Sequence, residues 1–100
     1  MRKQLQRFVT LTREYTATVD TICYNGIIHS RLSCIVNVET NNNIVSDHCW
    51  INISNLPRKY FKKGNKIKFT AKVESYYKNG QDGEKIKDYC LTNISNISLV

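Results

Sequence analysis

Proline occurs once and glycine four times in 100 residues. This composition excludes a collagen-like chain and a Pro/Gly-rich disordered tract. No apolar run approaches the roughly 20 residues of a bilayer-spanning helix, so no membrane association is expected. The start, Met1-Arg2-Lys3-Gln4-Leu5-Gln6-Arg7, is charged with no apolar run behind it and does not read as a signal peptide. Cys23, Cys34, Cys49 and Cys90 form no Cys-x-x-Cys pair and match no zinc-ligand spacing. They are expected as free thiols of a cytoplasmic protein, with Cys34 and Cys49 on the apolar phase of their strands. Gly-rich phosphate loops and Gly-x-Ser-x-Gly are missing as well, so no catalytic residue, metal or cofactor is expected. Asp47 and His48 are adjacent on a strand, which points them to opposite faces, with Asp47 on the inward phase. Asn-Ile-Ser at Asn52, Asn93 and Asn96 reads as chance in an Asn- and Ile-rich chain.

Acidic residues are scarce in one place above all. Between Leu56 and Lys78 there are eight basic residues and only Glu74 against them, so this segment carries the whole net charge of +7. Tyr60, Phe61, Phe69, Tyr76 and Tyr77 are threaded through it. A concentrated basic segment with interleaved aromatics is the electrostatic footprint of a nucleic-acid binder. A solvated face that keeps a small domain soluble is the plainer reading of the same charges.

The dominant hydrophobic period is two, the signature of half-buried strands. Val9, Leu11, Tyr15, Ala17, Val19 and Cys23 share one phase, interrupted by Arg13 and Thr21. Asn25-Gly26 supplies a turn. Leu32, Cys34, Val36 and Val38 mark the inward phase of a second strand, and Asn41-Asn42-Asn43 the next turn. A third strand runs from Ile44 to Ile53, with Val45, Cys49, Ile51 and Ile53 inward and His48, Trp50 and Asn52 outward. Pro57 opens and Gly64 ends a short helix, whose Leu56 and Tyr60 plug one end of the core. In the fourth strand Ile67, Phe69, Ala71 and Val73 point in while Lys66, Lys68, Thr70, Lys72 and Glu74 point out. A polar loop follows from Asn79 to about Asp88. The fifth strand begins at Tyr89 and Leu91, breaks near Asn93 and resumes at Ile97 and Leu99. One domain spans residues 1–100, with 1–12 as an N-terminal extension.

Five strands with a short helix between the third and fourth match the order of the OB-fold, an all-β, five-stranded Greek-key barrel whose closure removes exposed edges. An SH3-like barrel or an α+β roll also accommodates five strands. The passage Leu56-Pro57-Arg58-Lys59-Tyr60-Phe61-Lys62-Lys63-Gly64-Asn65-Lys66-Ile67-Lys68-Phe69-Thr70-Ala71-Lys72-Val73 resembles the entry to the fourth strand of OB domains. The ending Tyr89–Leu99 resembles their last strand. Length, barrel pattern, Asp47-His48-Cys49-Trp50 and Lys63-Gly64-Asn65-Lys66 together resemble the small OB-type single-stranded-DNA-binding proteins of Gram-positive mobile elements. The accessory "middle protein" family of the staphylococcal cassette chromosome replication module is among these. That resemblance implies a non-catalytic accessory protein in DNA replication, acting with a DNA polymerase, primase or helicase to support priming.

OB domains bind single strands across strands two and three and the flanking loops. The expected site is therefore Trp50 as a stacking platform with His48 beside it. Tyr24 and Arg31 come from the first loop, and Tyr76, Tyr77, Lys78, Lys85 and Lys87 from the last. Arg58, Lys59, Lys62, Lys63, Lys66, Lys68 and Lys72 supply phosphate contacts. The expected ligand is single-stranded DNA, with RNA left open. The alternative is an interaction subunit or a phage-type inhibitor whose basic face meets an acidic partner protein.

Overall fold

Five antiparallel strands form one sheet in the computed structural model, which describes residues 2–100, with side chains from Leu5 onward. Met1, the first residue of the expected extension, lies outside the described residues. The strands are β1 (Thr12–Asn25), β2 (Ser30–Thr40), β3 (Asn43–Asn52), β4 (Lys66–Asn79) and β5 (Lys85–Leu99). Their spatial order is β3-β2-β1-β4-β5. Three hairpin-linked strands followed by a fourth that returns beside the first make a Greek key. No described helix is long and apolar enough to cross a membrane.

The β1–β4 ladder is the regular part of the sheet. It runs without a register shift from Thr12↔Lys72 to Thr18↔Lys66. Tyr15, Ala17 and Val19 on β1 and Ile67, Phe69, Ala71 and Val73 on β4 are all buried, as the alternation predicts. Tyr15 and Phe69 face each other across this ladder with ring centroids 6.0 Å apart. Such an aromatic pair adds about 0.5–1.5 kcal/mol beyond its buried area. Arg13 shares the inward phase, opposite Ala71. It is tolerated because its guanidinium lies 4.5 Å from the centre of the Phe8 ring, a cation–π contact.

Elsewhere asparagine bends the strands. Asn37, Asn93 and Asn96 all have φ near +50°, a region asparagine enters at less cost than other non-glycine residues. The register of β1 against β2 shifts between Thr16↔Glu39 and Thr18↔Val36, around Asn37, and again between Val19↔Ile35 and Thr21↔Cys34, where Asp20 is the extra residue and turns Cys23 outward against its expected phase. That of β4 against β5 shifts twice, around Asn93 and Asn96. Each shift places one extra residue in one strand, a β-bulge that kinks and twists it. The repeated Asn-Ile-Ser triplets are thus the means by which β5 coils. β5 is continuous where a break was expected. Its core contacts after Leu91 come from Ile94 and Ile97, at steps of three, while Leu99 is exposed. The bulge also corrects the phase of β2. Val38 is fully buried as expected, but before Asn37 the fully buried residues are Ser33 and Ile35, whereas Leu32, Cys34 and Val36 lie on the outer side, although Cys34 is itself well covered.

The edge strands β3 and β5 approach each other, but no ladder joins them, so hydrogen bonds do not close the barrel. The segment Arg2–Phe8, a 3-10 helix, packs against β3, β4 and β5 and places Leu5 fully in the core. The chain turns from this segment toward β1 at Thr10, which has φ +70°. Thr10 N–H donates to the Val73 carbonyl at 2.8 Å. The helix expected between β3 and β4 is only a 3-10 turn, Arg58–Tyr60. Pro57 keeps an extended ψ of 130° and no side chain caps the turn. So short a segment does not recover the cost of helix nucleation. Phe61 just after the turn is buried, and Leu56 and Tyr60 pack on the core, so the expected plugging role is filled without a helix.

Two stability tests follow from this packing. Thr10→Gly relieves a left-handed, β-branched residue and is expected to stabilise by about 1 kcal/mol, whereas Asn93→Val is expected to destabilise by about 1–2 kcal/mol. Urea denaturation midpoints check both, and equal midpoints for the two variants would contradict the bulge assignment. The Tyr15 hydroxyl is buried with no hydrogen-bond partner. Burial pushes its pKa above the ordinary value near 10, with Arg13 opposing and Cys49 adding to the rise. The raised pKa gives stability that is full below about pH 10 and lost as pH rises through the native value. Tyr15→Phe is expected to leave neutral-pH stability unchanged or higher by about 1 kcal/mol. It is also expected to flatten the alkaline fall in a pH series of melting temperatures.

Candidate nucleic-acid interface

Residues paired directly in an antiparallel ladder share a face, so register alone assembles the outer surface. Trp50 pairs with Cys34, and Cys34 with Thr21. His48 pairs with Val36, Val36 with Thr18, and Thr18 with Lys66. Trp50 is 43% exposed, and His48 is exposed beside it. The outward phase expected for both therefore holds. From His48 to Lys66 the row crosses three strand spacings, roughly 14 Å along the sheet.

The lysines of β4 lie on this same continuous face. Lys68 pairs with Thr16 and Lys72 with Thr12, so they line up progressively farther from Trp50. Lys62 and Lys63 join the near end for a different reason. Gly64 N–H donates to the Val19 carbonyl at 2.8 Å, and Val19 N–H donates to the Asn65 carbonyl at 2.8 Å. These bonds dock the Lys62–Asn65 turn along β1 just beyond Thr18. Carboxylates at the far end of the face carry no signal in the sequence pattern. Glu39 pairs with Thr16 in the row of Lys68, and Glu14 pairs with Thr70. Glu14, Glu39 and Lys66 contribute to a polar cavity of about 380 Å³ there. The positive end of the face is therefore Lys62 and Lys63, while Lys66 shares the cavity with Glu14 and Glu39 and Lys68 lies in the row of Glu39.

The last loop differs from the expected one. β4 and β5 continue as a two-stranded ribbon to Asn79↔Lys85, so the polar stretch expected from Asn79 to Asp88 is mostly strand. Alternation divides its residues between two sides. Tyr77 pairs with Lys87 and Asn79 with Lys85, leaving Tyr77 66% exposed beside both lysines. Tyr76 and Lys78 lie on the other side and are engaged with a residue the sequence did not mark. Buried Asp88 accepts from Lys78 Nζ at 2.9 Å, from Tyr76 Oη at 3.3 Å and from Tyr89 N–H at 2.8 Å. Those bonds hold the ribbon together and engage Tyr76 and Lys78.

Tyr24, Arg31 and Arg58 are not brought to the Trp50 face. Tyr24 pairs with Arg31, one residue out of phase with Cys23↔Leu32, which places both on the opposite side of the sheet. Tyr24 Oη and His29 Nδ1 lie 3.3 Å apart. Lys59 Nζ sits 5.2 Å from the Tyr60 ring centre. Asp47 is exposed, not inward. Its Oδ1 lies 3.2 Å from His48 Nδ1 and accepts the His48 backbone N–H at 2.9 Å. The two side chains therefore meet, contrary to strict alternation. Among the described residues no group of three or more His, Cys, Asp or Glu side chains is arranged to hold a metal. The four cysteines are unbridged, with Cys34 and Cys49 buried, Cys90 half-buried and Cys23 exposed.

The division of the ribbon is testable by stability. Asp88→Asn and Lys78→Ala are expected to lower the urea midpoint, by about 1–3 kcal/mol for the buried carboxylate and less for the partly exposed lysine. Tyr77→Ala is expected to leave the midpoint unchanged. A Tyr77→Ala loss as large as that of Asp88→Asn would contradict the assignment. No family model, curated protein or solved structure matches this chain.

Proposed function

We propose that this chain is a non-catalytic OB-fold protein that binds single-stranded nucleic acid, DNA foremost, as an accessory factor in replication. The observation that carries the reading is the outer face running from Trp50 and His48 on β3, across Val36 and Thr18, to Lys66 and the Lys62–Lys63 turn. The strand order supports it too. In an OB barrel β4 pairs with β1, as here, and β5 lies between β4 and β3; here those edges approach without a ladder.

The mechanism is one of stacking and charge. Every base has a π-face, so an exposed indole holds unpaired bases without regard to sequence, at about 1–3 kcal/mol per stacked base. Lysines about three strand spacings away meet the phosphates of the same strand and release counterions. Duplex DNA hides its base faces and gains only the second term. Tyr77, Lys85 and Lys87 keep the phase of Val73, opposite that of Lys66 and Lys72, and offer a separate aromatic and basic patch on the β4–β5 ribbon. Catalysis, on this reading, belongs to a polymerase or primase partner of a mobile element, and this chain contributes strand capture.

The test is fluorescence anisotropy with labelled single-stranded DNA, duplex DNA and single-stranded RNA across a salt series. Single strands are expected to bind more tightly than duplex, with a slope of about −0.7 per phosphate neutralised. Trp50→Ala is expected to weaken single-strand binding by roughly 5- to 150-fold with little change in slope. Lys66→Glu with Lys63→Glu is expected to weaken it and flatten the slope. Equal binding of duplex and single strand, or indifference to Trp50→Ala, would contradict the reading. An acidic protein bound at the lysines would leave Trp50→Ala silent.

A further inference from the structure

On the side of the sheet opposite Trp50 lies a second, chemically different feature. A mainly apolar cavity of about 250 Å³ is lined by Ile22, Ile53 and Phe61, with Arg31 and Arg58 completing it. Backbone bonds hold both arginines in place. Arg31 N–H donates to Ser54 Oγ at 2.9 Å, and its carbonyl accepts from Ile53 N–H at 2.9 Å. The Arg58 carbonyl accepts from Phe61 N–H at 3.0 Å. No carboxylate lines the cavity, and neither guanidinium pairs with one among the described residues.

Beyond this cavity the β1–β2 hairpin ends in two isoleucines that are left in water, Ile27 at 91% and Ile28 at 56% exposure. Their side chains do not shape the turn, which is held by Asn25 Oδ1 accepting the N–H groups of Ile27 and Ile28. Exposed aliphatic groups at the tip of a hairpin whose stem lines an apolar cavity mark an interaction surface.

We propose that this cavity, together with the Ile27–Ile28 tip, docks an acidic segment of a partner protein that inserts one apolar side chain between Arg31 and Arg58. The cavity lies below the roughly 300–1,000 Å³ of small-molecule sites and suits a single anchor. Guanidinium groups match carboxylates in paired hydrogen bonds. An apolar centre with arginine at its margin is the make-up of a protein-binding hot spot. A nucleic acid fits less well: Tyr24, paired with Arg31, is the exposed ring next to the cavity, whereas the cavity lining itself offers aliphatic side chains and Phe61, which is buried and holds no base. The site faces away from Trp50, so it stands or falls independently of strand binding.

The test uses the full chain, ¹⁵N-labelled, and fluorescein-labelled 12-residue Asp/Glu peptides with a single central Leu or Phe. Peptides with Ala at the centre serve as controls. The anchored peptides are expected to bind at least about tenfold more tightly than the Ala controls, the order of effect of burying one large apolar side chain. Amide shifts are expected to gather at Ile22, Arg31, Ile53 and Arg58. Ile22→Ser and Arg58→Glu, both at exposed positions, are each expected to weaken binding about tenfold while keeping the thermal melt, and Trp50→Ala to leave it unchanged. Equal binding of Leu and Ala peptides would overturn the proposal, as would shifts centred on Lys63 and Lys66 or indifference to Arg58→Glu. A thymidine oligonucleotide that loses affinity on Arg58→Glu and displaces the peptide would assign the cavity to nucleic acid and overturn it as well.

Discussion

The uninterrupted ladder between β1 and β4 is the frame on which the rest of the fold depends. β1 pairs with β2 along one edge and with β4 along the other, so every strand reaches the core through it. Its inward row of Tyr15, Ala17 and Val19 meets Phe69 and Ile67 with no bulge to absorb misfit. Away from this pair the strands must curve, because a flat sheet of five strands leaves two long edges open. Bulges at Asn37, Asn93 and Asn96 supply the curvature, and the edges then come close enough for Leu5 and its 3-10 segment to pack against both. The asparagines that crowd this sequence are in that sense structural.

The same register that buries one side composes the other. Because paired residues share a face, the ladders that align Tyr15 with Phe69 also align Lys66 with Thr18, Val36 and His48. The apolar phase of β2 turns outward between Asn37 and the hairpin and gives Trp50 a backing of Cys34 and Val36. A large aromatic, a hydroxyl-bearing strip and a basic margin thus follow one another across the surface. The opposite side of the β1–β2 hairpin carries arginine and isoleucine in place of lysine and tryptophan. One small sheet therefore offers two surfaces of different chemistry, suited on the proposed reading to a strand of nucleic acid and to a partner protein at once.

Much of this was legible in the sequence wherever alternation ran undisturbed. β4 reads inward and outward without error, and the phase of Trp50 and His48 follows from Cys49 and Ile51 being apolar. Alternation fails where an extra residue enters a strand. Asn37 reversed the apparent phase of β2, and Asn93 made a continuous strand look broken. The β4–β5 ribbon was hidden because Lys85, Lys87 and Asp88 look like loop residues. Its strand character comes from cross-strand bonding around Asp88, which no local pattern announces. The helix expected after Pro57 is only a 3-10 turn, since a proline and a glycine at the right spacing say nothing about whether so short a segment can recover its nucleation cost. Glu14 and Glu39, distant from the basic segment in sequence, reach the lysine face only through strand pairing.

The sequence contains a single tryptophan, so the protein carries its own reporter at the centre of the proposed site. The most direct measurement is the emission of Trp50 during titration with single-stranded DNA, repeated at rising salt. Stacking of a base on the indole is expected to quench the emission in a saturable way, with the midpoint moving to higher DNA concentration as salt increases. Emission that stays constant while DNA binds by another readout, or that does not respond at any salt, would contradict a strand path across this face.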